Sequence, residues 1–206
     1  MKTKQLDAKT FTNLRHLNGL SQRTVDDLYE TYRTYVIKTN EVHARLKTTN
    51  LGEADAIYSE FRTLKMEQAS LLGAVKSYEL FFTHLGGQGG KPTGLVLTEI
   101  ERQYGDWGAF EKELTATALA SRSWATLCYD RERRELLTLV LDTPGALTAW
   151  NIEPVLMLDV SERACSTEFG RNRRGYVEAL LKNIDWARVE YNLAHALELE
   201  PVLRSS

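Results

Sequence analysis

The stretch Gly86-Gly87-Gln88-Gly89-Gly90-Lys91-Pro92-Thr93-Gly94 constrains this chain more than any other feature of its sequence. So many glycines and a proline in one short run cannot sustain a helix or a strand, because glycine loses too much backbone freedom and proline lacks a donor. Such a run can cradle phosphate, but no strand precedes it and no Gly-Lys-Ser/Thr sequence ends it, so it reads as a linker. The chain is therefore expected to divide into residues 1–85 and 95–206, with the linker at 86–94.

The two parts differ in hydrophobic period. Upstream, after an extended lead-in over residues 1 to 19, Ser21 is placed to cap a helix. Val25, Leu28, Tyr29, Tyr32, Tyr35 and Val36 follow at three- and four-residue steps. That helix is predicted to run to about Lys47. A second begins near Ala54 and continues through Phe61, Leu64, Leu71, Val75, Leu80 and Phe81. A short loop between two long helices makes an antiparallel hairpin. Downstream, helices are predicted over 95–103 and 108–120. Three short β-prone runs come next, 124–129, 136–141 and 153–158, the first two joined by the charged turn Asp130 to Glu135. Helices over 161–169, 173–181 and 187–199 complete an α+β chain: an N-terminal antiparallel helical hairpin, then an α/β domain with a three-stranded antiparallel sheet.

Composition removes several function classes. The 26 basic and 28 acidic residues leave a net charge of -2, which gives no electrostatic case for nucleic acid. Lys91, Arg171, Arg173 and Arg174 make the densest basic group, which reads as a solvated face. No run is long and apolar enough for a membrane span, and no apolar segment follows the first residues, so a cytoplasmic protein is expected. Cys128 and Cys165 have no paired spacing and read as reduced, buried side chains.

The stretch where chemistry is expected is Leu158-Asp159-Val160-Ser161-Glu162-Arg163-Ala164, a strand end that delivers a carboxylate just before a helix. It resembles the metal-binding signature of the iron/manganese superoxide dismutases. Leu20 to Val36, Gly73 to Phe82 with Leu85-Gly86-Gly87, and Asn183-Ile184-Asp185-Trp186 are similar to further stretches of that family. The resemblance implies the family fold and a metal held by three histidines and one aspartate. Carried over position by position, the histidines fall on Leu28, Tyr78 and Arg163, and only Asp159 keeps its ligand type. His16, His43, His84 and His195 occupy none of these places.

The resemblance further places Tyr35 as a pocket tyrosine and Trp124 as a pocket wall. It sets Glu162 against Arg163 of a second copy across a two-fold axis, in a homodimer or a heterodimer with a related chain. Arg163 is also expected to pair with Asp159 in the absence of a metal, with Leu28 and Tyr78 filling the remaining space. The function implied is a superoxide dismutase-like protein without a metal site, without catalytic residues and without a cofactor, serving in binding or assembly. Two alternatives stand beside it: an active enzyme holding iron or manganese through unorthodox ligands, and a non-catalytic subunit of a larger complex or partner of an active paralogue.

Overall fold

The computed structural model describes residues 4–145 and 149–198. Helix α1 (Gln22–Leu46) begins where Ser21 accepts the Thr24 N–H, and it buries Thr24, Val25, Leu28, Tyr32, Val36 and Thr39 along one stripe. Helix α2 (Glu60–Thr83) runs back against it. It starts six residues later than the apolar pattern suggests, because polar side chains capture the backbone first. Asp55 Oδ1 takes the N–H groups of Ile57 and Tyr58, and Ser59 caps the helix by accepting from Arg62 N.

The glycine-rich run is fastened rather than free. Gly87 and Gly89 donate to the carbonyls of Asn183 and Ile184 at 3.1 Å each. A Cβ on Gly87 would meet Ile184 O at 2.3 Å, so the close approach itself requires glycine. Helices α3 (Gly94–Tyr104) and α4 (Trp107–Ala120) then lead into strands β1 (Trp124–Asp130), β2 (Glu135–Leu141) and β3 (Ile152–Asp159). The sheet is antiparallel in the order β2-β1-β3, with a register slip between Leu127 and Cys128 on the β1–β3 side. Helices α5 (Glu162–Phe169), α6 (Arg173–Leu181) and α7 (Trp186–Glu198) follow.

One buried side chain ties distant segments together. Asn183, after α6, accepts the Asn18 N–H through Oδ1 at 2.7 Å and donates to Asn18 O at 2.8 Å and to Ala179 O at 2.7 Å. The core is continuous from hairpin to sheet. Tyr78 meets Trp124 edge-on with ring centroids 4.9 Å apart, and Phe81 meets the same indole at 5.9 Å. Among the described residues, no helix is long and apolar enough to cross a membrane.

Candidate functional site

Strand β3 ends on Asp159, which is 1 % exposed and sits directly across the ladder from Trp124. Two neighbours hold its carboxylate. Ser161 N donates to Oδ1 at 3.0 Å, while Ser161 Oγ accepts from Ala164 N and so caps α5. From α2, the Tyr78 hydroxyl donates to Oδ2 at 2.9 Å. Burial raises the Asp159 carboxyl above the ordinary carboxylate range; hydrogen bonds from Ser161, then Tyr78, oppose that rise, and the charge of Arg163 contributes least. The Tyr78 phenol is driven far up as well, first by burial and then by the neighbouring carboxylate. It therefore acts as a protonated donor. On α6, Tyr176 is fully buried and its hydroxyl has no hydrogen-bond partner among the described residues; burial, then the Asp159 charge, raises it too.

Above the carboxylate lies a cleft of about 240 Å³. Tyr35 and Tyr78 line it from the hairpin, Trp124 and Ser123 from the sheet, and Arg163 from α5. The segment after β2 contributes Asp142 and Pro144. Trp124 Nε1 donates to Pro144 O at 3.1 Å. That segment is pressed onto α2, since a Cβ on Gly73 would meet Gly145 O at 2.1 Å.

The structure thus brings together Tyr35, Tyr78, Trp124, Asp159 and Arg163 of the residues singled out from sequence. Leu28 is buried on α1 but does not line the cleft. Glu162 is exposed at the first position of α5. One expectation needs correction: Arg163 does not pair with Asp159. Its side chain is exposed, and the hydrogen bonds that the carboxylate accepts come from Tyr78 and Ser161. A buried phenol already in place on α2 reaches the carboxylate without the desolvation that drawing in a guanidinium would cost. The basic group divides likewise. Lys91 pairs with Glu101 at 3.0 Å, and Arg173 is turned inward to the carbonyls of Ala118 and Ser121.

Some polar residues near this core carried no sequence signal. His84, the C-cap of α2, is fully buried. Met157 N donates to its Nδ1 at 3.2 Å, and Asn192 Nδ2 lies 2.7 Å from its Nε2. Burial pushes this imidazole down to about 3. Its place two residues after the buried pair Phe81 and Phe82 is the one hint the sequence offered. Arg122, Ser123 and Asp142 reach the cleft through no recognisable motif; only the fold assembles them.

Comparison with known proteins agrees with this architecture. Residues 92–192 match the iron/manganese superoxide dismutases, C-terminal domain. The chain is 30% identical over 206 residues to the iron superoxide dismutase of Aquifex pyrophilus, covering 97% of this chain and 96% of that protein. It is 29% identical over 205 residues to the iron enzyme of Aquifex aeolicus strain VF5, with 97% and 96% covered. It is 28% identical over 187 residues to a manganese superoxide dismutase of Mycolicibacterium smegmatis, with 88% and 86% covered. The helical hairpin, the three-stranded antiparallel sheet with its flanking helices, and this likeness over nearly the full length place the chain in the iron/manganese superoxide dismutase family.

Proposed function

We propose that this chain keeps the family fold without the family's metal centre, and serves in binding or assembly rather than in dismutation. The hydrogen bond from Tyr78 to Asp159 carries the reading. Iron or manganese in a site of this kind calls for several neutral imidazoles and a carboxylate. Here the carboxylate meets a protonated phenol, a backbone N–H and, farther out, a guanidinium, while Leu28 offers no donor atom. Among the described residues, no group of three or more His, Cys, Asp or Glu side chains is placed to hold a metal. A phenolate ligand would first require loss of a proton that burial holds on Tyr78. The donor set does not fit the metal.

The test is elemental analysis of protein purified from cells supplied with iron and manganese, together with a dismutation assay. Substoichiometric metal and no activity above buffer are expected. One equivalent of either metal with activity would overturn the reading and favour an enzyme with unorthodox ligands. Assembly with a second copy or a related chain would run through Glu162 and Arg163. Both are exposed at the start of α5, and neither forms an ion pair among the described residues.

A further inference from the structure

We propose that a groove between α2 and α7, on another face of α2 from Tyr78, binds a fatty carboxylate, with the alkyl chain on Leu80, Pro154 and Met157 and the carboxylate at Lys76. No residue lines both this groove and the cleft above Asp159. Its occupant therefore goes beyond the metal-free reading and is independent of what the Asp159 centre holds.

The groove follows from the place of β3 in the sheet. The order β2-β1-β3 leaves β3 at an edge, and α2 and α7 both pack against it. Pro154 in that strand has no N–H to leave unpaired. The cavity so formed measures about 430 Å³, within the roughly 300–1,000 Å³ of small-molecule sites. Gly73, Lys76, Ser77, Leu80 and Thr83 line it at helical steps, which makes it elongated, about 15 Å along α2. Asn192 and His195 line it from α7. Leu80 is only half-buried, and Met157 contributes apolar surface beneath it.

Charge at the rim is unbalanced. Glu79 accepts from Lys9 Nζ at 2.7 Å and from the Tyr32 hydroxyl at 3.2 Å. Lys76 Nζ stands 3.6 Å from the same carboxylate, beyond hydrogen-bond distance. One negative charge thus faces two ammonium groups, and the other acid lining the groove, Glu153, is taken by Arg131 at 2.7 Å. Lys9 and Glu79 serve each other, while Lys76 keeps its three donors. The neighbouring Ser77 hydroxyl has no hydrogen-bond partner among the described residues. A long apolar groove with one unbalanced cation fits an alkyl chain that ends in a single carboxylate, because the chain leaves water and the head meets the ammonium. A dianionic head would exceed that charge, and a neutral alcohol would forgo it.

The experiment is calorimetric titration of the full chain with sodium decanoate below its micelle-forming concentration, with sodium octanoate and octanol alongside. Wild type is compared with Lys76→Gln, Ser77→Phe and Lys65→Gln. Saturable uptake of decanoate at one per chain is expected, about tenfold weaker for octanoate, which is shorter by two methylenes. Octanol is expected to bind about tenfold more weakly than octanoate, and Lys76→Gln to lower decanoate affinity by about the same factor. Lys76 is exposed, so that variant is expected to fold. Ser77→Phe places a ring in the groove and is expected to abolish uptake, with circular dichroism confirming its fold. Lys65→Gln, the same change on α2 outside the groove, is expected to keep wild-type affinity. Absence of saturable uptake overturns the proposal, as do equal affinities for octanoate and octanol. Unchanged affinity in Lys76→Gln or in folded Ser77→Phe overturns it too, and so does an equal loss in Lys65→Gln, which would report general charge. A sedimenting dimer that Ser77→Phe dissociates and decanoate leaves intact also refutes it, because a second copy then fills the groove.

Discussion

Replacing Tyr78 by phenylalanine removes one hydroxyl and leaves the ring in its aromatic cluster, so the loss reports on the bond to Asp159 with little cavity formation. The carboxyl titrates above its unfolded value near 3.9. Between those two values the unfolded chain has released a proton that the folded chain retains, so stability falls as pH rises. The Tyr78 bond holds the folded value down, and its removal moves that value up and extends the fall to higher pH. On the acid side of that titration a neutral hydrogen bond is lost, worth about 1 kcal/mol. On its alkaline side a bond to a charged acceptor is lost, worth about 2 to 3 kcal/mol. Urea unfolding followed by tryptophan fluorescence across a pH series measures the difference. A Tyr78→Phe cost that does not grow with pH would refute the assignment of Tyr78 as the partner of an ionising Asp159.

Asp159→Asn keeps an acceptor for the Ser161 N–H and removes the carboxyl whose titration lowers stability as pH rises, so the variant's stability profile is expected to lose that fall in the same assay. His84 works with the opposite slope. Its folded value of about 3 lies below the unfolded value, so its contribution is present above about pH 6.5 and is lost as pH falls, about 2 kcal/mol by pH 5. His84→Asn should flatten that part of the stability profile while lowering stability at pH 7. Burial pushes the Cys128 thiol up to about 11 and raises Cys165 as well. Neither should react with a disulfide reagent at pH 8 until urea unfolds the chain, and fast titration of either in the native state would contradict its placement.

Much of the fold was legible because it rests on local periodicity. The α1 stripe, the three strands and the turn between β1 and β2 follow from spacing and turn chemistry alone. The start of α2 was misjudged because Asp55 and Ser59 redirect a backbone that the apolar pattern would have made helical. The meeting of Tyr78 with Asp159 was not legible from composition or period, since the two lie 81 residues apart and only the packing of α2 against β3 joins them. Arg163 misled for the reverse reason. Its nearness in sequence suggested a pair, whereas it stays exposed where it lines the cleft and the carboxylate's hydrogen bonds come from Tyr78 and Ser161. Arg122, Ser123 and Asp142 belong to no pattern, and their shared cleft is a product of tertiary structure.

The Asn183 carboxamide has a consequence for biosynthesis. It clasps Asn18 from 165 positions later in the chain. As a ribosome releases the polypeptide, the turn at Asn18 has emerged long before its anchor exists, while Leu6 and Asn13 can already bond to α1 and to the end of α2. Final locking of that turn is thus postponed to the end of synthesis, and a chain truncated ahead of α6 would carry it unfastened however well its helices had formed.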